Sequence, residues 1–338
     1  MSRHVNIPIF IPHLGCPNQC VFCNQRTISG VNEFNAEDVR IQIDTALSTI
    51  EPDAEVEIAF FGGSFTGIDR DLMESLLATA YEYICCGRVA SLRCSTRPDY
   101  IDEEILSLLK KYGMKTIELG LQSASDEVLS LTKRGHDLRA EEKACKLIVD
   151  GGFSLVGQMM IGLPGADLSS EIETAEFIIS AGASAARIYP TVVFRETELC
   201  DMAKFGLYTP LDLSEAIERS ATVLEIFDRA GVDVIRIGLA SSENLSSPDT
   251  YFAGPNHAAL GELIENELYY RKISKLLADM QISSENTINI YVSCGSISKA
   301  VGQKKSGRMR LLQDYPGRRI RFLESKDLLG YGVRVEIS

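Results

Sequence analysis

Cys16, Cys20 and Cys23, in the segment GCPNQCVFCNQ, place three thiols at C-x3-C-x2-C spacing within one short loop. Thiolates are natural protein ligands of iron–sulfur clusters. Three of them can hold three irons of a [4Fe–4S] cubane and leave the fourth iron without a protein ligand. An open coordination position marks a metal used for chemistry rather than for structure, as it does for zinc. Phe22, between the last two cysteines, can shield such a cluster from water, and Gly15 and Pro17 help the loop turn. The other reading is a zinc site built from the three cysteines and His13. No second C-x2-C pair exists to complete an ordinary zinc ribbon, so the cluster is favoured. The remaining cysteines lack ligand spacing. Cys85 and Cys86 are adjacent on an expected helix, and Cys94, Cys145, Cys200 and Cys294 are single residues expected to be buried.

The loop needs a scaffold, and the flanking pattern describes one. Short apolar runs predict strands at Val5–Ile11, Val56–Phe61, Ser91–Ser95, Thr116–Leu121, Ser154–Ile161, Ala186–Val193 and Val232–Gly238. Helical patterns lie between them, around 36–50, 70–84, 102–112, 139–151, 169–181 and 213–230. The segment Asp102–Tyr112 is the clearest: Asp at the N-cap, Glu103 and Glu104 in the first turn, Lys110 and Lys111 in the last, and Gly113 just beyond. Repeated strand–helix units imply a parallel sheet with right-handed crossovers. The expected fold is α/β, a partial (β/α)6-type barrel over residues 1–240 with the cysteine loop at its C-terminal mouth, a doubly wound sheet being the alternative. Residues 241–256, rich in Ser, Asn, Pro and Gly, read as a linker. A small α+β domain is expected over 257–338, with a helix at about 258–281 and strands at INIYVS, RIRFLES and GVRVEIS.

With these residues in hand, the chain resembles the radical S-adenosylmethionine (SAM) superfamily, whose signature is C-x3-C-x2-C with an aromatic before the last cysteine. It resembles in particular the radical SAM half of the Elongator catalytic subunit, and more distantly oxygen-independent coproporphyrinogen oxidase. The resemblance spans roughly residues 5–240 and is carried further by FFGGSFTGI, STRPDYID, IELGLQS, Arg-Gly-His at 134–136, MMIGLP and YPTVVFRETEL. It implies a [4Fe–4S] cluster, SAM as cofactor, and an external reductant of the flavodoxin or ferredoxin type. Reductive cleavage of SAM would give methionine and a 5′-deoxyadenosyl radical.

The same resemblance assigns SAM contacts. Gly62, Gly63 and Ser64 would meet the methionine amino group, and glycines there allow close backbone approach. Gln122 and Arg134 would contact SAM, with the planar fork of Arg134 on its carboxylate. Ser95 stands where the coproporphyrinogen oxidase pattern has a ribose-gripping Glu, and Gln158 where it has an Asp, so both depart from the pattern. The turn Gly162-Leu163-Pro164 would shape the adenine pocket. His136 and His257 are read as structural, and no proton-transfer residue is assigned.

Charge and length bear on the substrate. A net charge of −13 argues against a generally basic nucleic-acid surface. Residues 303–322 depart from this, with Lys304, Lys305, Arg308, Arg310, Arg318, Arg319 and Arg321 against Asp314 alone. Lys304, Lys305, Arg308 and Arg310 are candidate phosphate contacts for RNA, with Tyr315 and Phe322 as stacking groups. A solvated edge balancing an acidic barrel is the competing reading. The stretch after residue 240 is too short for the acetyltransferase domain of Elongator-type enzymes, so carboxymethylation through acetyl-CoA is not expected. RNA or transfer RNA modification leads. A radical enzyme acting on a small metabolite, or a cluster- and SAM-binding carrier or chaperone, is the alternative. The N-terminal apolar run is broken by prolines and lacks a cleavage site, and no run is long enough to span a membrane, so a cytoplasmic protein is expected.

Overall fold

The computed structural model describes residues 4–11, 14–16, 20–24, 34–239, 247–281, 283 and 286–338. His13 and Pro17 lie outside them. Seven parallel strands form one sheet: β1 (His4–Ile11), β2 (Glu55–Gly62), β3 (Ser91–Thr96), β4 (Met114–Gln122), β5 (Ser154–Ile161), β6 (Ala185–Pro190) and β8 (Asp233–Ile237). The sheet curls into a partial barrel, and β1 and β8 are its two edges. β7 (Val193–Phe194) pairs antiparallel with β9 (Tyr251–Ala253) outside this sheet. The stretch expected as one strand over Ala186–Val193 is therefore two. Pro190, which has no N–H for a sheet ladder, ends β6, and the next amide, Thr191, donates to the Ile161 carbonyl.

The intervening helices start where side chains can satisfy free amides. Asp69, Asp102, Asp137, Asp167, Thr197 and Asp212 each accept a backbone N–H in the first turn of the helix they open. Gly113 follows the helix Glu103–Lys111 with φ +79°, as the sequence leads one to expect. Leu76, Leu77, Ile148 and Ile178 bury the inner faces of these helices against the convex side of the sheet. Cys94, Cys145 and Cys200 are buried as expected, and burial pushes the Cys145 thiol up to about 12. Cys294 departs from expectation: it sits exposed in the turn after β10 (Thr287–Ser293).

β10 is the centre of a second sheet, with β11 (Arg319–Ser325) parallel on one side and β12 (Val333–Ile337) antiparallel on the other. The helix Leu260–Ala278 joins the two sheets. Leu260, Ile264 and Leu268 are buried in the barrel core, whereas Tyr269, Ile273 and Leu277 are buried against the second sheet. No helix among the described residues is long and apolar enough to cross a membrane.

Candidate active site

The cysteine loop follows β1 and is held by backbone contacts on several sides. Gly63 N donates to Ile11 O, Ser64 N to Leu14 O, Val21 N to Thr132 O and Leu199 N to Val21 O. Glycine is required where the loop crosses the turn after β2. A Cβ on Gly63 would stand 2.0 Å from the Leu14 carbonyl oxygen, and one on Gly15 2.1 Å from that of Ser64. The Gly-Gly-Ser segment thus packs against the cysteine loop itself. Ser64 is fully buried, its hydroxyl paired with Thr96 Oγ1 at 2.8 Å and accepting from Arg97 N. The Ser64 side chain is committed to the scaffold, and the backbone of the turn is what remains for a ligand.

Cys20 is buried, Cys23 half-buried and Cys16 open to solvent. Arg134, expected from the sequence at SAM, is buried beside the loop. Its Nη1 donates to Cys20 Sγ at 3.3 Å, its Nη2 donates to the Gly120 carbonyl, and its Nε has no partner. Left-handed backbone at Lys133 and Gly135 turns Arg134 inward while Lys133 reaches out to Glu198. Arg97 lies close by, donating to Asp99 and to His136 Nδ1. Packed atoms around the Cys16 sulfur raise its thiol, and the charges of Arg97 and Arg134 pull the other way. His136 is buried between Asp99 and Glu141. Burial would raise the Asp99 carboxyl, but His136 and Arg97 hold it well below the usual range, whereas burial lifts Glu141 to about 7.

A cavity of about 350 Å³ opens on the concave side of the sheet, a size suited to a small-molecule ligand. Phe22, Cys23, Gly62, Ser95, Gln122 and Gln158 line it, so six of the residues singled out in the sequence share one chamber. Cys16, Cys20, Gly63, Ser64 and Arg134 lie outside the lining. Phe10, Phe61, Tyr189 and Phe194 supply flat apolar walls. Gln122 ends β4 with φ +73°, a conformation rarely held by a side-chain-bearing residue, and its buried Oε1 has no partner. The turn after β5 is fixed from both ends: Tyr208 donates to Gly162 O at 2.6 Å, and Gly162 N donates to Glu171 at 2.7 Å.

Ser95 and Gln158 are not free. Gln158 Nε2 donates to Glu118 Oε2 at 2.8 Å and to Ser95 Oγ at 3.3 Å. Glu118, fully buried, is the hub of a charged floor that sequence reading missed. Arg93 Nη1 and Arg187 Nη2 each approach Glu118 Oε1 at 2.9 Å, and Arg93 also binds Glu57 at 2.8 Å. Burial would raise Glu57, but Ser91, Arg93 and His4 hold it below its usual value. Part of the signal was available: Glu57, Arg93 and Glu118 alternate in charge on the neighbouring strands β2, β3 and β4, and Arg187 reaches Glu118 from β6 across β5.

The Radical SAM superfamily pattern matches residues 10–178, half of the chain, and the Radical SAM C-terminal domain pattern matches residues 183–270. The chain belongs to the radical SAM superfamily. It is a radical SAM enzyme, and membership implies SAM and a [4Fe–4S] cluster. Among curated relatives, the tRNA uridine(34) acetyltransferase of Methanocaldococcus jannaschii is 31% identical over 187 residues, which is 49% of this chain and 35% of that protein. Elongator complex protein 3 of Homo sapiens is 28% identical over 256 residues, covering 64% of this chain and 47% of the relative. An uncharacterized protein of M. jannaschii is 30% identical over 232 residues, 65% of this chain and 70% of its own. The chain thus spans about a third to a half of the acetyltransferase and Elongator relatives. Among solved structures, Methanocaldococcus infernus Elp3 aligns over 82% of this chain and 64% of its own, with TM-score 0.61 and 22% identity, a likeness of fold.

The donor set of this radical SAM chain fits a cluster by its chemistry. Three thiols come from one loop, one of them already accepts from a guanidinium, and cations flank two of them. Among the described residues no three His, Cys, Asp or Glu side chains converge as ligands of a single ion. Cubane ligands each take a separate iron corner, so such convergence is not what a cluster requires. The orphaned Gln122 Oε1 and Arg134 Nε are further polar atoms in want of a partner.

The basic stretch carries its candidates differently. Lys304 and Lys305 are exposed on consecutive left-handed residues before the helix Ser306–Asp314. Arg308 is half-buried, and its Nε has no partner. Arg310 is bound at 2.5 Å to Glu267 and stacks 3.6 Å from the Tyr270 ring centroid. Tyr315 and Phe322, expected as stacking groups, pack against the second core.

Proposed function

We propose that this enzyme reductively cleaves SAM at a [4Fe–4S] cluster held by Cys16, Cys20 and Cys23, and directs the resulting 5′-deoxyadenosyl radical at a nucleoside of RNA. The observation that carries the reading is the aromatic-walled chamber into which Cys23, Phe22 and Gln122 open together. The bound cluster would supply the electron that breaks the SAM C5′–S bond, drawn from a flavodoxin- or ferredoxin-type reductant. The protein's own residues hold, orient and exclude water. The cysteine loop, braced on Gly15 and Gly63, brings Cys23 to the chamber wall. Arg134 steadies Cys20 and offers a guanidinium to the amino-acid end of SAM. Gln122 brings an unsatisfied carbonyl, and Phe22 keeps water from the mouth. The name of the archaeal relatives, tRNA uridine(34) acetyltransferase, supports RNA as substrate, as does the exposed pair Lys304 and Lys305.

Arg134→Ala is expected to weaken SAM binding to the reconstituted protein about tenfold or more, since a buried charged hydrogen bond is worth about 1.5–3 kcal/mol. Anaerobic titration of SAM checks this. Unchanged affinity with the cluster intact would confine Arg134 to bracing Cys20.

The RNA reading is tested by a salt titration of single-stranded RNA binding. Each phosphate contact contributes a log–log slope of about −0.7. Replacing Lys304 and Lys305 together by Ala is expected to weaken binding and flatten the slope by about one to two units. Flat, weak binding by both proteins would remove RNA from the lead. A comparison of RNA nucleosides between a deletion strain and its parent would then identify the modified position.

A further inference from the structure

The chamber holds one positive charge that no acid among the described residues answers. Arg187 and Arg236 stand opposite each other in the β6–β8 register, and both line the chamber. Like charges opposed across neighbouring strands are destabilising unless something neutralises them. Arg187 is neutralised by Glu118 at 2.8 Å. Arg236 is not. It is half-buried, and its Nε donates to the carbonyl of Gly238 at 3.1 Å, which fixes the plane of the guanidinium. Its two terminal nitrogens have no partner among the described residues. Among the described residues the charges of this network are Arg93, Arg187 and Arg236 against Glu57 and Glu118, so one cation is unmatched there in a chain of net charge −13. Tyr189, from the same strand as Arg187, accepts from Arg187 Nη1 at 3.4 Å and adds a phenol to the wall that Arg236 shares.

A half-buried guanidinium held in plane by one bond, on the wall of a cavity, is suited to an oxyanion. It does not serve the SAM carboxylate in the proposed arrangement, because Arg134 stands beside the cysteine loop after β1 whereas Arg236 lies on β8, the other edge of the sheet. We propose that Arg236, with Tyr189 beside it, is a substrate subsite that grips the phosphate attached to the nucleoside undergoing reaction. This rests on the RNA reading for its choice of phosphate. The phosphate would compensate the Arg187–Arg236 repulsion, so occupancy would orient the substrate and stabilise this edge of the barrel together.

The test uses uridine 5′-monophosphate, uridine and ribose 5-phosphate as probes, titrated calorimetrically against the reconstituted, SAM-loaded protein. Both phosphorylated probes are expected to bind, with uridine about tenfold weaker than its monophosphate, the scale of one charged hydrogen bond. Arg236→Gln is expected to abolish that difference without changing SAM affinity, and Arg236→Lys to restore part of it. Melting temperature in the absence of probe provides a second readout. Relief of the like-charge pair predicts that Arg236→Gln melts no lower than wild type, whereas a purely structural bond to Gly238 predicts a lower value and an unchanged probe ratio. Equal binding of uridine and its monophosphate would overturn the subsite and leave the nucleoside reading standing. Binding of ribose 5-phosphate that is lost in Arg236→Gln, with neither uridine probe bound, would keep the subsite and remove the nucleoside. Failure of every phosphorylated probe to bind would overturn the subsite.

Discussion

Replacing Cys16, Cys20 or Cys23 singly by alanine is expected to abolish the broad visible absorption that the protein acquires on anaerobic reconstitution with iron and sulfide. The expected effect is total because each thiol has no understudy. Cys94, Cys145 and Cys200 are buried in the scaffold, and Cys85, Cys86 and Cys294 are exposed on other elements. A serine at the same position would keep the size but lose the soft, easily ionised ligand. The fold should survive all three changes, since the loop is anchored by backbone bonds from Gly63, Ser64, Val21 and Leu199 rather than by the thiols. Circular dichroism of the unloaded variants separates loss of ligand from loss of structure. Full iron and sulfide in all three variants would sink the ligand assignment.

Glu118→Ala is expected to destabilise the unloaded protein by about 3–5 kcal/mol, the usual cost of removing one partner from a buried ion pair. The carboxylate is fully buried and answers two guanidiniums, Arg93 and Arg187, while also accepting from Gln158. Its loss strands Arg187 and leaves Arg93 to Glu57 alone in the barrel interior, where an unpaired charge is far costlier than an unmade neutral hydrogen bond. Glu118→Gln should fall between, keeping an acceptor but not the charge. Denaturant melting of the three proteins measures the series. A loss below about 1 kcal/mol for Glu118→Ala would mean that water reaches the network and that the chamber floor is wet.

The strand–helix alternation was legible because each repeat carries its own punctuation. Asp102 before an acidic turn and Gly113 after a basic one delimit a helix without reference to anything distant. The cysteines were legible for the same reason: three ligands lie within one short loop, so spacing alone brings them together. What escaped was assembled from far apart. Glu57, Arg93, Glu118 and Arg187 come from four strands, and single charges at alternate strand positions look, one strand at a time, like a solvated face. Ser95 and Gln158 both line the chamber, and nothing nearby in sequence announces Glu118 as the partner they share. β9 is a three-residue strand in a stretch that composition marks as linker, and only its pairing with β7 makes it a strand. Arg310 was one of four equivalent basic candidates until Glu267 and Tyr270, on a different helix, claimed it.

The helix Leu260–Ala278 works as a ruler. Its first turn abuts the end of β8, where Leu260 packs on Gly238 and Gly261 passes close under the Ile237 carbonyl. Ten residues on, Tyr270 and Glu267 clasp Arg310 of the basic helix. At 1.5 Å per residue that is a rigid separation of about 15 Å along the axis. A strand of nucleic acid gripped by Lys304 and Lys305, at the head of the basic helix, would therefore meet the chamber edge that carries Arg236 at a fixed reach. Lengthening or shortening the helix by one turn would change which nucleotide arrives there.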